Sequence, residues 1–174
     1  MYDPRKDHDK MKVKKLVMIA GPAGIGKTTV CQRLFETIEG CAWLDGDWCW
    51  MVNPYPGKTD EQKAYSIESF GRILDGYLND ENTDIIFFSW MIQRDYMFEL
   101  VTDKISYKKY EVIKIVLVCD EEVFVQRLKD GNRSERKINN PDDMEKYRSL
   151  NAHVIDTTDL SVCDTVDKIM SLIN

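Results

Sequence analysis

Histidine is scarce in this 174-residue chain: His8 and His153 are the two present, far apart in sequence. The five cysteines (Cys31, Cys41, Cys49, Cys119 and Cys163) are odd in number, scattered, and form no CxxC pair. A Cys/His zinc site therefore has no support, and the thiols read as reduced, small buried hydrophobes suited to a cytosol. No apolar run approaches the length of a membrane span, and no apolar signal core follows the N-terminal charges, so no membrane partner is expected. Basic charge is in deficit: Lys plus Arg number 24 against 30 for Asp plus Glu, a formal charge of -6. An acidic chain does not present the broad basic face that non-specific nucleic-acid binding uses. What is present is ordinary for a folded domain, with 43% hydrophobic and 31% charged residues, which excludes wholesale disorder. The expectation is one soluble, cytoplasmic domain.

Residues 1–14 are charge-dense, with almost nothing to bury, and read as a mobile tail; residues 15–174 read as one domain. Leu16-Val17-Met18-Ile19-Ala20 is an unbroken apolar run ending at Gly21, the pattern of a strand buried on both faces. Lys27 to Glu39 places Val30, Leu34, Phe35 and Ile38 at helical spacing, with Gly40 as the stop. Further strands are expected at Cys41–Leu44, Ile85–Phe88, Val112–Cys119 and Val154–Ile155. Helices are expected over Asp60–Leu78, Arg94–Val101, from Asp120 (as N-cap) through Leu128, and from Val162 to Leu172. The polar segment from Gly131 to Asp143, with Asn139-Asn140-Pro141, reads as a loop. Strands alternating with helices imply an α/β fold, a parallel sheet covered on both faces.

The informative element is Gly21-Pro22-Ala23-Gly24-Ile25-Gly26-Lys27-Thr28, followed by Thr29: a full G-x-x-x-x-G-K-[ST] match between a buried strand and a helix start. Its glycines let successive N–H groups turn inward around phosphate oxygens, and the helix N-terminus adds partial positive charge. Lys27 would reach the β- and γ-phosphates of ATP or GTP, and the Thr28 hydroxyl would hold Mg2+. The motif alone does not name a reaction. No Asn-Lys-x-Asp segment reads a guanine, no paired acids end the Ile85–Phe88 strand, and no Ser-Gly-Gly signature occurs. Elimination leaves a small phosphotransferase.

Leu44-Asp45-Gly46-Asp47-Trp48 follows the second strand. In a parallel sheet the C-terminal strand ends share one edge, so Asp45 and Asp47 fall beside the P-loop. Phosphoryl transfer to an alcohol needs a metal partner and a carboxylate facing the hydroxyl, and two acids two residues apart can divide those tasks. A plain Asp-Gly turn would read the same way.

At these residues the chain, from Leu16 onward, resembles the small P-loop kinases, the group of nucleoside and nucleotide kinases, shikimate kinase, gluconate kinase and chloramphenicol phosphotransferase. The resemblance implies a three-layer fold with five parallel strands in the order 2-3-1-4-5 and a small lid after the fourth strand. It implies that Asp45 helps bind Mg2+ and that Asp47 faces the acceptor hydroxyl as its base. It implies that Arg127 stacks on adenine, that Asp156-Thr157-Thr158 packs its backbone on the base, and that Arg133 and Arg136 close from the lid onto the phosphates. Arg148, in the helix after the lid, is a weaker candidate. Taken without the family, these arginines are solvated surface and Thr157 a capping turn.

The acceptor is less legible. The triple glycine of shikimate kinases and the Asp-Gly-Phe-Pro-Arg of adenylate kinases are missing, and Ser89-Trp90-Met91-Ile92-Gln93-Arg94 stands instead. Arg94 could meet an acidic group on the acceptor or lie on its own helix surface. Trp48, Trp50 and Trp90, with Tyr55, form an expected aromatic wall for a flat ring, or else pack helix on sheet; Trp43 reads as core. Two functions stay open. One is an ATP- and Mg2+-dependent kinase for a hydroxyl of a small molecule, a nucleoside or nucleotide among the candidates. The other is a nucleotide-binding regulator or slow NTPase. A kinase for nucleic-acid ends is disfavoured by the acidic balance.

Overall fold

The computed structural model describes residues 13–53, 59–131 and 142–173. Strand β1 (Lys14–Ala20) alternates its side chains between two hydrophobic clusters: Leu16, Met18 and Ala20 enter one, Val17 and Ile19 the other. That double burial is why its sequence is apolar without a break. The strand opens at Lys14, one residue inside the segment expected as a tail.

Helix α1 (Lys27–Thr37), strand β2 (Cys41–Asp45) and a short 3-10 turn (Gly46–Trp50) follow, then α2 (Asp60–Asn79), β3 (Ile85–Ser89) and α3 (Asp95–Thr102). The chain continues through β4 (Tyr110–Val118), α4 (Glu121–Asp130), α5 (Asp142–Arg148), β5 (His153–Asp156) and α6 (Val162–Ile173). All four strand pairings are parallel, in the order β2-β3-β1-β4-β5. This is the three-layer P-loop NTPase fold that the sequence led us to expect.

The sheet divides the core in two. Phe70 and Leu74 of α2, Phe98 of α3 and Tyr147 of α5 cover one face. Leu34 of α1, Phe124 and Leu128 of α4, and Ile169 of α6 cover the other. The register sets Asp45 opposite Ser89, and Ser89 opposite Ile19, so β1, β2 and β3 end level with one another. Chemistry-bearing residues that follow these strands therefore emerge at one edge.

Three local expectations are corrected. The 3-10 turn after β2 was not anticipated. Helix α5 begins at Asp142, inside the segment read as loop. Asp120 stands at the N-cap of α4, yet its side chain makes no capping bond; its main-chain N–H donates to Thr158 Oγ1 at 2.9 Å. Among the described residues no helix is long and apolar enough to cross a membrane.

Candidate active site

The turn between β1 and α1 owes its shape to glycine. Gly26, the N-cap of α1, sits at φ 114°, a left-handed conformation that a side chain would strain. Helices α2, α3, α4 and α6 each carry an acid in the first turn, whereas α1 carries none and has no side-chain cap. The partial positive charge of that one N-terminus is left for a ligand's anion. The Lys27 ammonium lies on the loop itself, donating to the carbonyls of Gly21 at 2.8 Å and Pro22 at 3.0 Å.

Asp45, at the last position of β2, is buried with 8% of its surface exposed. Its two oxygens have separate tasks. Oδ1 accepts from the Asp47 N–H at 3.0 Å, which caps the 3-10 turn, and Oδ2 accepts from the Thr28 hydroxyl at 3.2 Å. The first helical turn after the P-loop is thereby tied to the end of β2. Asp47 is exposed at the same edge. A single cleft of about 740 Å3 takes in Ala23 to Val30, both acids, Trp90, Met91, Arg127 and Thr157.

Ser89 was not singled out in the sequence. It is fully buried at the end of β3, and its hydroxyl accepts from the Trp43 indole N–H at 3.1 Å. Cys31 lies beside it: burial pushes this thiol up to about 12, against a hydrogen bond with Ser89 that lowers it, with Asp45 raising it further. Cys31 is thus a protonated packing residue under the acids, and all five cysteines are free thiols.

At the other end of the cleft, Arg127 braces two segments. One terminal nitrogen donates to the Ile25 carbonyl at 3.3 Å and to Thr157 Oγ1 at 2.8 Å, and the other donates to the Thr157 carbonyl at 2.7 Å. Thr157 is in turn fixed to β4, its hydroxyl donating to the Val118 carbonyl at 2.9 Å. Leu160, Val162 and Thr165 complete this end with apolar surface that the sequence reading did not assign. Arg148 is held away from the cleft lining by Asp156 at 2.9 Å. Burial raises Asp156, but hydrogen bonds from Thr158 and Arg148 outweigh it and leave the carboxyl below its usual range.

The expected aromatic wall is divided. Trp90 lines the cleft and packs edge-on against Phe70 at 5.0 Å. Trp50 packs against the cluster on the α2 face of the sheet. Trp48 turns to the other side, onto Trp43 at 4.9 Å, and lines a different cavity. The 3-10 turn is the cause, because it sends Asp47 and Trp48 out in different directions. Arg94 is exposed at the N-cap of α3 and does not line the cleft. Arg133, Arg136 and Tyr55 lie outside the described residues.

The donor set fits a nucleotide-bound Mg2+. Mg2+ is ordinarily held by one or two protein oxygens together with phosphates and water, not by an all-protein cage. The Thr28 hydroxyl and the Asp45 carboxylate supply oxygen of that kind beside the P-loop. Among the described residues no cluster of three or more His, Cys, Asp or Glu suggests any other metal site.

Comparison with known proteins bears on the family and the fold. The family model described as an AAA domain matches residues 17–148. The tunicamycin resistance protein of Deinococcus radiodurans superposes with a TM-score of 0.70 at 14% identity, covering 92% of this chain and 96% of that one. A gluconokinase from Sinorhizobium meliloti 1021 gives 0.62 at 12% identity, with 93% of each chain covered. The APS kinase of Mycobacterium tuberculosis in complex with AMPPNP and APS gives 0.59 at 14% identity, covering 92% and 97%. At these identities the likeness is one of fold. No curated protein sequence matches the chain significantly.

Proposed function

The chain belongs to the AAA domain family, and from that premise we propose that it is a phosphotransferase that uses Mg2+ and ATP to phosphorylate a hydroxyl of a small molecule. The observation that carries this reading is the Thr28–Asp45 hydrogen bond of 3.2 Å at the mouth of the P-loop, with a second, exposed acid, Asp47, two residues on in the same cleft. A nucleotide switch needs the first arrangement; it has no use for a second carboxylate lining the same cleft. The folds shared with a gluconokinase and an APS kinase support the same class of reaction.

In this reading the P-loop from Gly21 to Thr29 surrounds the phosphates with the main-chain N–H groups of Gly21, Ala23, Gly24, Ile25, Gly26 and the residues through Thr29, Pro22 shapes the turn without donating, and Lys27 neutralises the phosphate charge. Thr28 and Asp45 hold the metal, which supplies charge stabilisation at the phosphoryl oxygens. Arg127 and Thr157 form the floor of the base pocket. Asp47 orients the acceptor hydroxyl and takes its proton at a carboxylate oxygen. Trp90 and Met91 bound the acceptor half. Arg133 and Arg136 are assigned to excluding water over the transferred group.

The decisive measurement is transfer of labelled phosphate from ATP across a panel of nucleosides, nucleotides, sugars and aromatic alcohols. Acceptor-dependent transfer is expected, with Asp47→Asn keeping nucleotide affinity within about threefold while transfer falls by about 10²-fold or more, the usual worth of a general base. Slow hydrolysis that no acceptor accelerates would return the chain to the regulatory reading. Full transfer by Asp47→Asn would remove that residue from the mechanism.

A further inference from the structure

A second cavity, of about 620 Å3, shares no lining residue with the nucleotide cleft. It lies along β2, an edge strand of the sheet, between α1 and α2. Four aromatic rings come from four elements: Phe35 of α1, Trp43 of β2, Trp48 of the 3-10 turn and Tyr77 of α2. Trp43 and Trp48 meet at 55° and make a corner. Phe35 and Trp48 each leave 51% of their surface exposed, a large cost for rings that could have been buried.

The charged residues in this lining are Glu36 and Asp80, both acidic. Each is positioned by neighbours. Glu36 accepts from the Gln32 side-chain amide at 2.9 Å, and Asp80 accepts from the Thr83 hydroxyl at 2.6 Å and the Asn82 N–H at 3.3 Å. The Thr83 bond, with the Asn82 bonds and Lys14 adding to it, holds the Asp80 carboxyl below its usual range, so it stays ionised. Lys14 approaches from outside the lining, its ammonium bonded to the Asp80 main-chain carbonyl and 5.8 Å from the Tyr107 ring centre.

Aromatic faces present negative charge, and fixed carboxylates at their rim add to it. A neutral ring would meet two acidic side chains without answering either. A bare metal ion would find two carboxylates set among aromatic faces, and among the described residues no group of three or more His, Cys, Asp or Glu gathers to hold one. We propose that this cavity binds an organic cation, an alkylated ammonium group carried on a small molecule. The site is independent of the nucleotide cleft and does not rest on the kinase reading. Its occupant would nevertheless bear on the acids. Trp48 directly follows Asp47, and Trp43 is bonded to Ser89, the residue opposite Asp45 in the β2–β3 register.

The test is to titrate the full chain with tetraethylammonium chloride, following tryptophan fluorescence, against sodium chloride at the same ionic strength. Tetraethylammonium has no hydroxyl and so cannot serve as a phosphate acceptor. A saturable change with the organic cation alone is expected, still present at saturating MgATP. Phe35→Ala and Glu36→Gln, both at solvent-facing positions of α1, are expected to weaken it by about fivefold or more while leaving the circular dichroism spectrum unchanged. No saturable change, an equal response to sodium, or binding unaltered in both variants would overturn the proposal. Sedimentation equilibrium covers the competing occupant: a dimer dissociated by Phe35→Ala would give this surface to a second copy of the chain and likewise overturn it.

Discussion

Gly46 stands between the two acids, and a methyl group there would lie 2.7 Å from Trp90 Cδ1 and 2.8 Å from Cγ. Trp90 has little room to yield. Its ring packs on Phe70, and its main-chain N–H donates to the Ile19 carbonyl at 3.2 Å. Gly46→Ala is therefore expected to destabilise the fold by about 1–3 kcal/mol through overpacking. It should also shift the turn that carries Asp47, so that kcat falls more than the nucleotide KM rises. Urea denaturation with steady-state kinetics checks both effects; an unchanged midpoint and turnover would refute the close contact. The neighbourhood of Gly46 also shows what could be read from sequence. Asp45 and Asp47 were legible because a strand end fixes their edge of the sheet. Trp48 was not, because successive side chains in a 3-10 turn diverge by about 120°, and the residue that faces the cleft depends on where the turn begins. Ser89 escaped notice because its significance comes from lying opposite Asp45 across two strands, a relation that no local pattern records.

Helix α2 illustrates the same division at greater length. Its apolar stripe announces a helix over Asp60–Leu78, and the structure adds a capping box, Thr59 with Gln62, at the start of a helix that begins at Asp60. Its partner could not be read. Gly71 lets the segment after α3 approach so closely that an added Cβ would stand 2.7 Å from the Lys104 carbonyl oxygen. One turn later, Asp75 receives the N–H groups of Ser106 at 3.0 Å and Tyr107 at 2.8 Å, together with the Ser106 hydroxyl. This single carboxylate fastens α2 to the segment leading into β4. The Ser106 hydroxyl, more than any other group, holds Asp75 below its ordinary value of 3.8, aided by the two N–H groups and opposed by partial burial. Because the folded value is the depressed one, the stabilisation is fully present above 3.8 and disappears as the pH falls through the folded value. Asp75→Ala should cost about 1 kcal/mol at neutral pH, since its donors are partly solvated. Thermal or urea unfolding from pH 7 down to pH 3 should show wild type and variant converging on the acid side. A gap that persists unchanged to pH 3 would mean that the carboxylate contributes through packing, not charge.

The nucleotide cleft is assembled by segments distant in sequence: the P-loop after β1, the acids after β2, Trp90 after β3, Arg127 on α4 and Thr157 after β5. The two half-cores on opposite faces of the sheet hold these segments in place, and Arg127 and the Thr28–Asp45 bond tie them directly. A ligand that engages all of them binds the folded state and not the unfolded chain, so it stabilises the domain as a whole. At a hundred times its dissociation constant, MgATP is expected to add about 2.7 kcal/mol. In a chain of this size that corresponds to about 5–10 °C in Tm. Thr28 is exposed apart from its bond to Asp45, so Thr28→Ala should leave the Tm of the free protein within about 2 °C, as is usual for surface substitutions. The variant should retain the shift given by ATP with EDTA and lose the increment that magnesium adds. Differential scanning fluorimetry on both proteins, with ATP alone and with MgATP, separates the contributions. If magnesium adds as much to the variant as to the wild type, the metal is held elsewhere, and the link from Thr28 through Asp45 to the chemistry at β2 fails with it.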